Sequence, residues 1–304
     1  MIRSLRLPAL LIISALVSGA SAAAQPAAGR PAHAAIKLTL DAAFTGRTDF
    51  EARGAPAGDV AVTQAGFALS VPLRPIAGTW FPSVGLGYKA YDLDRAPGTP
   101  LPARLHSLGV SASVFGQLDP DWKFIGSVSP RLANAGSGFS SRGLGVGVLA
   151  LATKKLSAEF SGGFGVVYDS LARGTGRLLP VATFDWTPAP GWRAFLGFPR
   201  TGVAWQAAPS VLAEFVAEAD FGSFYVTDAP APRTATRPPL DRTRLEYRAV
   251  RVGPALTWNF DPAAHLRVAA GVLPLLNADY ERRGFELKSD GASAFGALEL
   301  GWKF

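Results

Sequence analysis

From residue 35 onward the chain alternates apolar residues with small or polar ones, in segments of about ten residues. Ile36, Leu38, Leu40, Ala42 and Phe44 interleave with Lys37, Thr39, Asp41, Ala43 and Thr45. A period of two puts one set on each face of a strand. The pattern returns from Leu156 to Asp169, from His265 to Leu276 and from Ala294 to Phe304. No helical period is sustained, and Gly and Pro, at 33 and 24 residues, recur too often for long helices. The longest apolar run after the N-terminus, Gly143 to Ala152, matches the roughly 9–11 residues of a membrane-crossing strand and not the roughly 20 of a helix.

The connections are of two kinds. Leu118–Asp121, Thr153–Lys155, Thr187–Gly191, Ala208–Ser210 and Asp261–Ala263 are tight and marked by Pro or Lys. Residues 46–58, 93–103, 133–142, 170–177, 226–243 and 279–291 read as longer polar loops. Short turns at one end and long loops at the other is the layout of a membrane β-barrel. The count is about fourteen strands, with Trp192–Gln206 read as two short strands around Phe198–Gly202. Twelve is the alternative if that pair is not part of the wall.

Alternation alone also fits a soluble barrel with an apolar interior. Three features favour lipid. All seven tryptophans (Trp80, Trp122, Trp186, Trp192, Trp205, Trp258 and Trp302) lie beside the tight turns or the C-terminus. The tyrosines, Tyr88, Tyr91, Tyr168, Tyr225, Tyr247 and Tyr280, lie toward the loop ends. A bilayer sorts amphipathic rings into two girdles, and Tyr88, Tyr168, Tyr247 and Tyr280 are expected in one of them. The less apolar face is rich in Gly, Ser and Ala (Gly85, Gly87, Ser111, Ser113, Gly143, Gly145, Gly147, Gly163, Gly165), which suits a crowded lumen wall. Finally, the last strand ends in Trp302-Lys303-Phe304.

An alternating strand with a terminal Phe resembles the C-terminal signature of bacterial outer-membrane barrels. The resemblance implies that Phe304 and its strand are read by the barrel assembly machinery. Pro190-Gly191-Trp192-Arg193-Ala194-Phe195-Leu196-Gly197-Phe198-Pro199 is similar to a motif in an uncharacterised family of such barrels. That family has no assigned activity, so it implies fold and location alone.

The N-terminus reads as a secretory signal: a basic stretch with Arg3 and Arg6, an apolar core from Leu7 to Val17, and small residues at Ala20–Ala24. The expected organisation is a signal peptide at 1–24, a disordered segment at 25–34 and an integral outer-membrane barrel at 35–304. With no Cys, the chain has neither disulfides nor thiolate metal sites.

By parity, Lys37, Asp41, Lys89, Lys123, Arg131, Glu159, Asp169, Asp185, Arg193, Glu214, Glu218, Asp220, Arg251, Arg267, Asp279, Glu299 and Lys303 are expected to line the lumen. Such charges either flank an aqueous path or pair inside a plugged barrel. Glu214 and Glu218 are roughly 13 Å apart along a strand, too far for paired-carboxylate hydrolysis. His106 and Ser107 point to opposite faces, and no catalytic residue, metal site or cofactor is assigned. Arg47, Arg53, Arg95, Arg173, Arg177, Arg233, Arg237, Arg242, Arg244, Arg248, Arg282 and Arg283 gather at the loops, suited to phosphates of lipopolysaccharide. Loop 226–243 is long enough to enter the mouth. The functions this leaves are a narrow or gated pore for small solutes, a plugged structural or surface-binding barrel acting through its loops, and a lipid-modifying enzyme. Nucleic acid is not an expected partner, and the oligomeric state is open.

Overall fold

The computed structural model describes residues 35–172, 177–234, 237–281 and 283–304. The segments expected to be a signal peptide and a disordered N-terminal stretch, together with Arg173 and Arg282, lie outside the described residues.

The chain forms one antiparallel barrel of fifteen strand segments: β1 (Lys37–Ala52), β2 (Ala55–Pro72), β3 (Trp80–Arg95), β4 (Arg104–Gln117), β5 (Trp122–Ala135), β6 (Leu144–Lys155), β7 (Phe160–Asp169), β8 (Leu178–Ala189), β9 (Trp192–Leu196), β10 (Arg200–Ala208), β11 (Val211–Val226), β12 (Arg244–Asp261), β13 (Ala264–Tyr280), β14 (Phe285–Asp290) and β15 (Ser293–Lys303). β14 and β15 each pair with both β1 and β13, so they fill one wall position, and the wall has fourteen strands. The ends close on each other through Lys37↔Lys303, with Ile36 and Phe304 exchanging backbone hydrogen bonds of 3.1 and 2.8 Å. Tight turns and termini form the lower rim and loops form the upper rim.

Some expected loops are strand. β1 and β2 run almost to the upper rim and meet in a two-residue turn, Arg53–Gly54, with φ of 54° and 76°. Paired positive φ suits a right-twisted hairpin, and Gly reaches it without strain. Residues 279–291 likewise form a hairpin end, β13 to β14, around a short turn.

Along each strand the two faces exchange character with height. Low on β3, Val84 and Leu86 are exposed on the outer face while Gly85, Gly87 and Lys89 face inward. High on β3, Asp92 and Asp94 are exposed outside while Tyr91 and Leu93 are buried inside. The lower part therefore has an apolar belt outside, and the upper part is built like a soluble barrel around an apolar core. That core joins wall residues Val60, Val62, Leu93, Leu105, Leu245 and Leu287.

The wall is uneven. β9 and β10 form a short hairpin turning at Gly197–Pro199, whose Phe198–Pro199 peptide is cis. Above it β11 leans across the barrel, and its tip pairs in parallel with β5 through Tyr225↔Asn134 and Val226↔Ala135. The upper barrel is thereby a narrower ring of β1–β5 and β11–β14, and β6–β10 complete the wall only below.

Candidate functional site

β3 and β11 are not neighbours in the wall, yet Lys89 Nζ reaches Asp220 Oδ1 at 2.8 Å, and Tyr91 Oη donates to the same oxygen at 2.9 Å. Arg251 of β12 donates to Gln64 Oε1 of β2 at 2.6 Å and lies 3.4 Å from Asp220 Oδ2. Gln64 passes a further bond of 2.9 Å to Asp41. These side chains bridge opposite walls and form a polar constriction at mid-height. The inward lean of β11 brings Asp220 there. Buried charges need such partners, since an unpaired one is costly.

Directly above the constriction sits an apolar plug, and the loops supply part of it. Leu101, Leu171 and Leu240 come from three different connections and are 2%, 1% and 0% exposed. Gly145 provides the seat for one of them: a Cβ there would stand 2.4 Å from Leu171 Cγ. Tyr280 anchors the loop carrying Leu101 by donating from its hydroxyl to Pro100 O at 2.6 Å. Arg244 holds the start of the β7–β8 loop through Ser170 O at 3.3 Å and Leu171 O at 3.1 Å. Loop 227–243 enters the mouth through Leu240.

Below the constriction the inner wall carries a charge ladder. Arg267 contacts Glu218 at 2.5 Å and Glu214 at 3.3 Å, and Arg200 contacts the same two carboxylates at 2.9 and 3.0 Å. His265 lies 3.3 Å from Glu299, and Arg193 pairs with Asp185. A cavity of about 110 Å³ opens at the lower mouth between Lys37, Ser70, Phe81, Ser83, Ser113 and Phe115. On the far side Arg131 and Asp169 form a fully buried pair at 2.5 Å, with Arg131 Nη1 and Ser129 Oγ left without hydrogen-bond partners.

Register carries Lys37, Asp41, Lys89, Lys123, Arg131, Asp169, Asp185, Arg193, Glu214, Glu218, Asp220, Arg251, Arg267, Glu299 and Lys303 to the inward face. Two of the expected lining residues are elsewhere. Glu159 stands exposed in the turn before β7, outside any strand. Asp279 points outward at the upper rim opposite Glu246, because a β-bulge between Val250 and Val252 inverts the parity of the upper part of β13. Gln64, Tyr91 and Arg200 belong to the site without having been assigned to it. Gln64 is uncharged, Tyr91 read as a rim aromatic, and Arg200 sits beside a connection.

The tryptophans all face outward at the lower end of the belt, where Trp192 and Trp205 stack at 6.0 Å. Tyr88 and Tyr168 face outward toward the upper end. Tyr247 and Tyr280 do not join them. Tyr247 shares the inward parity of Arg251, the bulge turns Tyr280 inward, and both are buried in the plug. His106 is buried near the upper rim against Phe139, with ring centroids 4.2 Å apart.

Comparison with solved structures gives one likeness of fold and weaker ones beside it. An outer-membrane channel from Pseudomonas putida F1 aligns over 91% of this chain and 97% of its own, with a TM-score of 0.50 and 10% identity. A FadL homologue of Pseudomonas aeruginosa aligns over 88% and 90%, with a TM-score of 0.43 and 10% identity. The NanC porin aligns over 87% and 100%, with a TM-score of 0.40 and 12% identity. At these identities the first likeness is one of fold, and the other two are weaker. No curated protein matches the sequence. Residues 56–291 match a family model described as a domain of unknown function, and the chain belongs to that family, DUF6268.

Proposed function

We propose that the chain is a gated outer-membrane channel for small solutes, held shut in its upper half. The carrying observation is the stacking of layers within one wall: a charge-lined lower lumen with a cavity of about 110 Å³ at its mouth, a constriction of bridging charges, and a plug built partly from loop leucines. A plug made of wall residues alone would be a permanent core. Loop-borne leucines can withdraw, because loops rearrange at lower cost than paired strands. Strand number supports the reading: eight strands are filled by side chains and sixteen to eighteen leave a channel, and fourteen falls between them. The shared fold with an outer-membrane channel supports the same membrane for this chain, with the lower rim periplasmic and the first 24 residues an export signal. In this reading the upper-rim arginines contact lipopolysaccharide phosphates, and the strand ending in Phe304 is read during assembly. No catalytic residue is assigned.

Solute influx into proteoliposomes tests this. The double variant Leu101→Asp, Leu240→Asp is expected to pass small sugars and ions faster than the parent, since each carboxylate would have to leave the apolar plug. If both proteins are folded and heat-modifiable yet neither passes solute, the channel reading fails and a structural or surface-binding barrel takes its place.

A further inference from the structure

The fourteen-strand wall has a break in its strand pairing on one side, closed in this structure by buried side chains, Leu179 of β8 and Phe221 of β11. β9 pairs with β8 only from Phe184 downward, so Leu178–Thr183 of β8 have a strand partner on the β7 side alone among the described residues. Across the break, β11 pairs with β10 up to Glu218, and Ala219 N donates to Pro199 O at 2.9 Å. The next strand contact of β11 on that side is Tyr225 with β5. The sill is the β9–β10 tip, which completes its own bonding: Thr201 Oγ1 accepts from Gly197 N at 3.1 Å and donates to Gly197 O at 2.9 Å. The short hairpin is therefore a finished structure and not a frayed one.

The break stands within the apolar belt. Leu178, Phe184 and Leu196 around it are exposed on the outer face. Its inner lining is apolar too: Leu179 and Val181 by parity, and Phe198 stacked on Phe221 with centroids 6.4 Å apart. Phe221 has outward parity yet is 6% exposed, because β11 has leaned inside the line of the wall. Unpaired strand backbone is not tolerated against hydrocarbon unless it meets protein or lines a cavity. Pro180 on the free edge of β8 disfavours closure by an added strand.

We infer that this break in the wall is a lateral portal, shut here by its apolar side chains, through which small apolar or amphipathic molecules exchange between the lumen and the bilayer hydrocarbon. The Phe198–Phe221 stack is its inner threshold. Axial passage at this height meets the constriction and plug, so a lipid-soluble molecule has a side route that bypasses both. The portal rests on wall topology and goes beyond the channel reading.

The chain has no Cys, so single cysteines report cleanly. Val181→Cys, Ser111→Cys and Phe184→Cys are labelled with bimane and reconstituted in vesicles containing brominated-chain phosphatidylcholine. Val181 and Ser111 both have inward parity, but Ser111 lies behind a complete wall. The portal predicts that the label at 181 is quenched as strongly as that at 184, with 111 protected. Protection at 181 equal to that at 111 overturns it, as does a second copy paired along β8, which would shield 181 and double the mass on a semi-native gel. In a second arm, Thr183→Cys and Ser223→Cys are bridged by a cleavable bismaleimide in intact cells. Protein-dependent uptake of N-phenylnaphthylamine is expected to fall to background and return on reduction. Uptake indifferent to the bridge overturns the portal even if ion conductance is normal. Absence of conductance bears on the channel reading and leaves the quenching result standing.

Discussion

Tyr280 at the end of a wall strand donates a hydrogen bond to the carbonyl of Pro100, 180 residues away, and so ties a loop into the barrel mouth. Tyr280→Phe keeps the ring and strands a buried acceptor, which costs about 1–3 kcal/mol. The loop with Leu101 is expected to exchange amide hydrogen faster while the lower strands do not, and channel opening is expected to rise. Unchanged exchange in residues 96–103 would remove this bond from the gate.

The constriction responds to charge. Asp220 accepts from Lys89 and Tyr91 at 2.8 and 2.9 Å, so Asp220→Asn leaves the Lys89 ammonium without its carboxylate partner. Selectivity in planar bilayers is expected to shift toward anions, because the site gains one net positive charge. Lys89→Met is expected to shift it the other way. The same selectivity in both variants would place the ion path elsewhere.

The inward and outward faces differ in what they tolerate. Val110 is 52% exposed on the outer face of β4 and Ser111 faces inward. Val110→Arg is expected to destabilise by roughly 2–4 kcal/mol near the bilayer midplane. Ser111→Arg is expected to cost less. Equal losses in urea unfolding from lipid vesicles would contradict the assignment of faces.

The buried Arg131–Asp169 pair behaves as a unit. Arg131→Met alone is expected to cost roughly 3–5 kcal/mol, because it abandons a buried carboxylate. Arg131→Met with Asp169→Leu is expected to recover most of that loss. A double variant no more stable than the single would show that the two charges are not coupled.

Acid acts on the upper loops through Asp228. Its carboxylate is held below the ordinary range by the backbone N–H and hydroxyl of Ser137 and by the hydroxyl of Thr227. A depressed carboxylate contributes its tether in full above its unfolded pKa near about 4 and loses it as the pH falls through the lower folded value. Proteolysis within residues 136–143 is expected to quicken over that acidic interval in the parent. In Asp228→Asn it is expected to be fast throughout.

Much of the barrel was legible because a wall strand obeys a period of two. Lys37, Lys89 and Arg267 point inward by the same parity that exposes Leu40, Leu86 and Val268. Parity fails where a bulge adds a residue, which is why Tyr280 and Asp279 exchange the faces expected of them. It is also silent on height. Tyr247 and Lys89 both face inward, but one stands in the plug and the other in the constriction, and this depends on where each strand leaves the apolar belt. The contacts that define the gate, Lys89 to Asp220 and Leu171 to Gly145, join segments with no local pattern in common. The lean of β11 onto β5 follows from a hairpin that stops at Pro199, and no periodicity announces it.

The central claim is a channel shut by loop leucines, and single-channel conductance tests it most directly. The refolded mature chain and its Leu101→Asp, Leu240→Asp variant are compared in planar bilayers. The account predicts a mostly closed parent with discrete openings, and a variant of the same unitary conductance that is open far more of the time. Two folded barrels that both stay silent would contradict it.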